Sequence, residues 1–208
     1  MKPDYWDRAS RALAKADPVM RTLVKRYPDI TFRRRGDAFT TLARAITGQQ
    51  ISVKAAQSVW NRVLGACGGK PGKLSPDSVL TLDPPLLRAC GLSQRKADYI
   101  RDLASKFAAG ELRPRRWKAS DDESIIEELI LVRGIGRWTA EMFLMFNLHR
   151  PDILPVDDLG LRNAVAAAYN DGEKMSIEEI RAIGEAWKPW RSVATMYLWR
   201  SLDPIADL

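Results

Sequence analysis

The stretch of sequence that decides the fold reads Leu131-Val132-Arg133-Gly134-Ile135-Gly136-Arg137-Trp138-Thr139-Ala140. The residues before it have helical apolar spacing, and Ser120 with Glu123 predicts a capping box at the start of that helix. Gly134 is predicted to stop the helix, because glycine adopts the left-handed conformation without steric cost. Gly136 then allows the chain to turn again before another helix begins. The sequence therefore predicts two helices joined by a Gly-x-Gly hairpin.

The start of the second helix suits a phosphate group, since the helix dipole places partial positive charge there. The candidate phosphate-binding residues are Gly134, Ile135, Gly136, Arg137 and Thr139. An ordinary helix–helix turn also explains a lone Gly-x-Gly motif. A second segment favours a nucleic-acid-binding site. It places an acidic pair at the start of another predicted helix and reads Leu154-Pro155-Val156-Asp157-Asp158-Leu159-Gly160.

Composition limits the class of protein. The chain has 208 residues, 46% of them hydrophobic, as in a globular domain with a sizeable core. No apolar run reaches the roughly 18 residues of a membrane span, and no apolar signal core opens the chain, so we expect neither membrane insertion nor export.

Two cysteines and one histidine disfavour a zinc site and exclude a four-cysteine iron–sulfur cluster within the chain. The net charge of +7 favours a polyanion as partner, although a solvated basic surface also explains it.

Helical spacing along the whole chain predicts an all-α fold, and no segment shows the alternation of a strand. Pro18, Pro76 and Pro189 are predicted in the first turns of helices, and Ser176 with Glu179 predicts a second capping box. We expect a single unit over residues 1–208 with two lobes and a cleft between them. The approximate lobes are residues 37–147, with the hairpin at 131–140, and residues 1–36 with 148–208.

Taken together, these motifs resemble the helix-hairpin-helix (HhH-GPD) superfamily of base-excision DNA glycosylases. The resemblance is strongest to the 3-methyladenine DNA glycosylase II branch, which acts on alkylated bases. Besides the hairpin and the acidic pair, three segments carry it in consistent order: residues 46–56, 91–97 and 187–199. It covers roughly residues 37–201, so we expect the N-terminal mixed α/β domain of some members to be absent.

The resemblance implies that Asp158 is the catalytic carboxylate, because the family's acid directly precedes a Leu-Gly helix start. Asp157 is the alternative, since a Val-Asp register selects it, and either aspartate is also a common helix cap. Breaking an N-glycosidic bond builds positive charge on the deoxyribose, which a carboxylate stabilises while it orients or deprotonates water. An alkylated purine leaves as a neutral base, so a strong general acid is dispensable.

The resemblance also implies a base pocket that contains Trp138, Trp199, Met142 and Leu159. Glycosylases that nick DNA carry a Schiff-base lysine at the position of Trp138, which implies a monofunctional enzyme that releases the base without strand cleavage. An aromatic ring can stack on a flipped, electron-poor base, while packing in the core is the alternative for both tryptophans. Met142 and Leu159 stand where some members carry tyrosines, which leaves the choice of lesion open.

Gln49 and Gln50 lie at the tip of a predicted helix–turn–helix, and Gln50 matches the family's wedge position. An enzyme that extrudes a nucleotide must fill the gap left in the base stack, although an ordinary polar loop tip is the alternative. The expected partner is double-stranded DNA with damaged bases. No cofactor is expected, and the resemblance allows a monovalent cation at the hairpin. We expect a monomer, cytoplasmic and nucleoid-associated if the source is prokaryotic.

Three functions are compatible with these patterns. The first is a DNA glycosylase for alkylated purines, chiefly 3-methyladenine and also 7-methylguanine. The second is a non-catalytic helix-hairpin-helix protein that attaches to DNA through its charge. The third is a glycosylase for mismatched or oxidised bases, which the missing hairpin lysine and missing cluster cysteines disfavour.

Overall fold

The computed structural model describes residues 2–32, 36–68 and 72–202, and this part of the chain is all helical, without a β-strand. The all-α prediction is therefore confirmed. The described helices are α1 Trp6–Ala16, α2 Pro18–Arg26, α3 Ala38–Gly48, α4 Val53–Ala66, α5 Pro76–Leu80, α6 Pro84–Ala89, α7 Gln94–Ala108, α8 Pro114–Trp117, α9 Asp122–Ile130, α10 Arg137–Phe146, α11 Leu159–Tyr169, α12 Ile177–Glu185 and α13 Arg191–Leu202.

The chain divides into two compact units. The central unit is residues 35–143, and the terminal unit is residues 1–34 together with 144–208. The hairpin and most of α10 belong to the central unit, and the acidic pair belongs to the terminal unit.

The core of the central unit is built from the apolar faces of amphipathic helices. Leu42 and Ile46 of α3, Val63 of α4 and Ile100 of α7 are all fully buried. Trp117, in the short helix α8 that the sequence did not predict, is buried as well. Its ring packs edge-on against Phe107 and Phe143, so this helical turn contributes to the core.

The terminal unit is organised around α13, whose residues 192–198 are all buried. A helix buried on every face lies at the centre of its unit, and the low amphipathicity of α13 follows from that position. The buried carboxylate of Asp17 caps α2 and accepts hydrogen bonds from Tyr169 Oη at 2.7 Å and Trp187 Nε1 at 3.1 Å. Burial, together with the bond to Asp17, raises the pKa of Tyr169.

Several local predictions are confirmed. Pro18 and Pro76 lie in the first turns of α2 and α5, where their missing amide costs nothing. Ser176 and Glu179 form the predicted capping box of α12, with Ser176 accepting from the Glu179 amide and Glu179 accepting from the Ser176 amide.

Other local predictions are wrong by a few residues. The cap of α9 is Asp121, not Ser120, because the Asp121 carboxylate accepts both the amide and the hydroxyl of Ser124, while the Ser120 hydroxyl donates to a carbonyl of the preceding turn. Pro189 lies before α13, which begins at Arg191. Helix α9 ends at Ile130, so Gly134 shapes the turn after the helix and does not stop it.

Candidate functional site

Asp158 is held in a fixed position in the terminal unit. Residues 154–158 form tight turns, with the Asp158 amide donating to the Pro155 carbonyl at 2.9 Å, and Asp158 becomes the N-cap of α11. Its Oδ1 accepts the Leu161 amide at 2.7 Å and the indole N–H of Trp199 at 2.8 Å. Two donors on one oxygen fix the plane of the carboxylate, so capping and a chemical role are compatible in this residue.

The two aspartates of the acidic pair differ in their surroundings. Asp158 is half-buried within this hydrogen-bonded cluster, whereas Asp157 is exposed. Leu159, directly after Asp158, is 68% exposed, which places an apolar side chain on the surface beside the carboxylate. Of the two candidates, the structure places Asp158, and not Asp157, in contact with Trp199.

Trp199 is half-buried and its ring stacks on Phe146, with centroids 6.0 Å apart and planes within 9°. Gly160 makes this arrangement possible. A Cβ at Gly160 would lie 3.0 Å from Asp158 Oδ1 and 3.2 Å from Trp199 Nε1, closer than side chains ordinarily approach. The Leu-Gly pair was recognised in the sequence, but the need for glycine depends on Trp199, 39 positions later, and had no local signal.

The hairpin lies in the central unit between Ile130 and Arg137. Gly134 has a φ of +85°, and a Cβ there would overlap the ring of Tyr99, so glycine is required for two independent reasons. Gly136 is exposed, and a Cβ there would meet no described atom within 4 Å. Ile135 and Thr139 are buried, so their side chains are not available at the surface to a ligand.

Arg137, the basic candidate for phosphate contact, forms an ion pair with Glu123, the residue that the sequence pattern assigned to a capping box. Its guanidinium donates to both carboxylate oxygens of Glu123, in α9, and lies 4.0 Å from the Glu141 carboxylate. The hydrogen bond from Arg137 lowers the pKa of Glu123. A phosphate at Arg137 would therefore compete with Glu123.

Trp138 and Met142 are one turn apart on α10 and therefore share a face of that helix. Trp138 is 45% exposed, in contrast to the fully buried Trp117. Met142 is half-buried. A large aromatic ring open to solvent is available to stack on a ligand, whereas a core tryptophan is not.

The two glutamines of the predicted wedge loop have different environments. Gln50 is exposed and has a φ of +57°, which is rare for a residue with a side chain. Gln49 turns inward, and its Nε2 donates to the Gly134 carbonyl of the hairpin at 2.8 Å. Lys96 donates to the Thr47 carbonyl at 2.9 Å and the Gln49 carbonyl at 2.6 Å. Of the two glutamines, Gln50 is the one whose side chain is exposed at the tip.

Among residues 2–32, 36–68 and 72–202, no group of three or more His, Cys, Asp or Glu side chains is arranged to hold a metal ion. Over the same described residues, no helix has the length and apolar character needed to cross a membrane.

The sequence model of the HhH-GPD superfamily of base excision DNA repair proteins matches residues 43–190. The chain belongs to this superfamily, and its helical fold with a hairpin at 131–136 is the fold of that family.

Comparison with individual proteins finds similar DNA glycosylases. DNA-3-methyladenine glycosylase 1 of Schizosaccharomyces pombe is 33% identical over 189 residues, which are 89% of this chain and 81% of the relative. A DNA-3-methyladenine glycosylase of Bacillus subtilis is 32% identical over 91% of this chain, and the match spans 65% of that relative. The solved structure of the S. pombe 3-methyladenine DNA glycosylase Mag1 with abasic DNA matches with a TM-score of 0.81 and 30% identity, over 97% of this chain and 98% of that one.

Proposed function

We propose that the chain is a monofunctional DNA glycosylase that hydrolyses the N-glycosidic bond of alkylated purines in duplex DNA and leaves an abasic site. Its substrates are 3-methyladenine and related bases such as 7-methylguanine. The observation that supports the proposal is the Asp158 carboxylate, held by Trp199 and the Leu161 amide; the sequence resemblance assigns the family's acid to this residue. The names of the relatives support the class of substrate.

In the proposed reaction, the damaged nucleotide leaves the stack and Gln50 fills its place. Extruding a nucleotide costs a few kcal/mol of stacking and pairing free energy, which a side chain inserted into the gap offsets in part. Gln50 is suited to this role because it is exposed at the tip of its loop and its amide can hydrogen-bond the orphaned base.

The chemical step in this proposal is the cleavage of the C1′–N bond. The bonding electron pair goes to the cationic base, which leaves neutral, and positive charge develops on the sugar. The Asp158 carboxylate stabilises that charge. A water molecule then adds its oxygen to C1′ and gives up a proton, for which Asp158 is the acceptor. Because Oδ1 is already held by two donors, little reorganisation of the carboxylate is needed during the reaction.

Trp138 supports both the substrate class and the absence of strand cleavage. Its exposed indole can stack on an electron-poor methylated base, an interaction that an uncharged normal base makes more weakly. An indole has no amine to attack C1′, so no Schiff base forms at this position and the DNA strand stays intact.

The hairpin residues 134–139 are proposed to bind DNA phosphate through the backbone at the start of α10, assisted by the net charge of +7. A monovalent cation at the hairpin carbonyls would act on phosphate binding and not on bond cleavage. Its fit is constrained, because the Gly134 carbonyl already accepts a hydrogen bond from Gln49. One Asp158 per chain suffices for the reaction, so we propose that the protein acts as a monomer.

The test is incubation of the protein with duplex DNA methylated at random, followed by chromatography of the released bases. We expect 3-methyladenine among the products, and a strand that breaks only after alkali treatment. Release of no methylated base would contradict the substrate class. Strand breaks without alkali would contradict the monofunctional assignment.

A further inference from the structure

The Lys96 side chain contacts the loop that carries Gln50. Lys96 lies in the first turn of α7, and its ammonium donates to the carbonyls of Thr47 and Gln49, at 2.9 and 2.6 Å. These two carbonyls flank Gly48, the last residue of α3, and the Gln49 carbonyl immediately precedes Gln50. We propose that Lys96 is a positioning residue that holds the Gln50 loop in the shape required to enter the duplex.

The C-terminus of a helix is a favourable place for this contact. The last carbonyls of α3 have no partner further along the helix, and the dipole places partial negative charge there. An ammonium group supplies donors and the complementary charge together. Burial lowers the pKa of Lys96, because it takes part of the charged group out of water.

A second contact, which we also call an anchor, holds the same loop. The Gln49 side chain donates to the Gly134 carbonyl at 2.8 Å, which ties the loop to the hairpin within the central unit. Gln50, directly after these anchored residues, has a φ of +57°. A left-handed backbone at a residue with a side chain is unfavourable and persists where its surroundings fix it. The two anchors supply that fixation.

The step that should depend on Lys96 is the extrusion of the nucleotide. A loop fixed before it meets DNA loses little conformational entropy when Gln50 enters the stack, whereas a loose loop must be ordered at that moment. Lys96 itself is occupied with backbone carbonyls, so it acts through Gln50. This inference rests on the proposed function, since extrusion of a nucleotide is the step that the loop serves.

The experiment compares single-turnover excision of one methylated purine in two duplexes, one with the lesion correctly paired and one with it mispaired. Extrusion costs least for a mismatched base, so the wedge matters less there. We expect Lys96→Met to slow excision from the paired duplex by about tenfold or more, and from the mispaired duplex by less than about threefold. Lys54→Met removes the same charge from an exposed position in α4 and should leave both rates near native.

Gln49→Leu tests the second anchor without touching Lys96 and should show the same selective loss. In addition, excision by the double variant Lys96→Met with Gln50→Ala should be no slower than excision by Gln50→Ala alone. The reason is that Lys96 acts only through the Gln50 side chain, which the second substitution has already removed. Equal losses on both duplexes, or full additivity with Gln50→Ala, would overturn the proposal. Thermal unfolding of each variant identifies a loss that is due to instability.

A binding measurement separates this inference from the proposed function. Duplex DNA with 2-aminopurine beside an abasic-site analogue reports disturbance of the stack by fluorescence, without any excision. At saturating protein, the native chain and Lys54→Met should change the fluorescence, and Lys96→Met and Gln49→Leu should lose most of that change. If the native chain releases no methylated base, the proposed function is wrong. The 2-aminopurine fluorescence still tests the positioning role of Lys96 in that case, because it does not depend on excision. An unaltered signal in Lys96→Met would overturn its positioning role.

Discussion

The indole N–H of Trp199 donates to Oδ1 of Asp158 at 2.8 Å, so that two residues 41 positions apart form one hydrogen-bonded pair. Phe146 stacks on the Trp199 ring and limits its rotation, while the absence of a side chain at Gly160 lets the indole approach. The Leu161 amide fixes the same carboxylate oxygen from α11. Asp158 is therefore oriented by groups that need not themselves touch the substrate.

Removal of the indole donor should impair the reaction more than binding. Trp199→Phe keeps an aromatic ring to stack on Phe146 but loses the N–H, and we expect the single-turnover rate to fall about 10- to 100-fold with a small change in KM. Trp190→Phe is the matched control, since the Trp190 ring stacks on Tyr5. If both variants lose activity equally, the hydrogen bond to Asp158 is not what matters.

A methyl group at Gly160 should disturb the same contact. Alanine favours a helix over glycine by up to about 1 kcal/mol, so Gly160→Ala would stabilise α11 in the absence of a clash. Its Cβ would lie 3.0 Å from Asp158 Oδ1, and we expect excision to slow by about tenfold or more. Gly65→Ala in α4, where the new Cβ meets no described atom within 4 Å, should leave excision unchanged. Native activity in Gly160→Ala would mean that the cluster tolerates displacement.

Release of Arg137 from its acidic partner should strengthen DNA binding. Glu123→Gln removes the charge that holds Arg137, and the exposed ion pair contributes at most about 1 kcal/mol to stability, so folding should be little affected. We expect tighter binding to undamaged duplex, measured by fluorescence anisotropy at several salt concentrations. The slope of log K against log salt concentration should steepen by the amount expected for about one additional phosphate contact. Because the pKa of Glu123 is lowered, the native pair is ionised at neutral pH.

Glu127→Gln is the control for that experiment, because it removes the same charge from an exposed position of α9. Equal gains in affinity from the two variants would indicate a general charge effect and would remove the specific role assigned to Arg137.

The buried carboxylate of Asp17 should make Tyr169 important for stability and not for catalysis. Tyr169→Phe removes one of its donors and should lower the free energy of unfolding by about 1–3 kcal/mol, measured by urea denaturation, with excision per folded molecule unchanged. The pKa of Tyr169 is raised in the folded state, so its contribution is complete below the ordinary tyrosine pKa of 10.0 and is lost as pH rises above it. The stability difference between the native chain and Tyr169→Phe should therefore shrink in alkali; a constant difference would contradict the assignment.

How much the sequence could predict depended on the distance between interacting residues. Ser176 and Glu179, or Pro76 at the start of α5, act within one helical turn, and their roles were predicted correctly. The pairing of Arg137 with Glu123, 14 positions away, and of Trp199 with Asp158 arises from tertiary packing and leaves no periodic signal. Trp199 was selected by resemblance as a residue of the base pocket, but its contact with Asp158 became visible only in three dimensions.

The central claim is that Asp158 carries the chemistry, and one measurement tests it most directly. Single-turnover release of a methylated purine from the same duplex is compared for the native chain, Asp158→Asn and Asp157→Asn. Asparagine caps a helix nearly as well as aspartate, so α11 should remain intact in both variants. We predict a loss of at least about 100-fold in Asp158→Asn and near-native release in Asp157→Asn. Native release by Asp158→Asn, or loss confined to Asp157→Asn, would contradict the account.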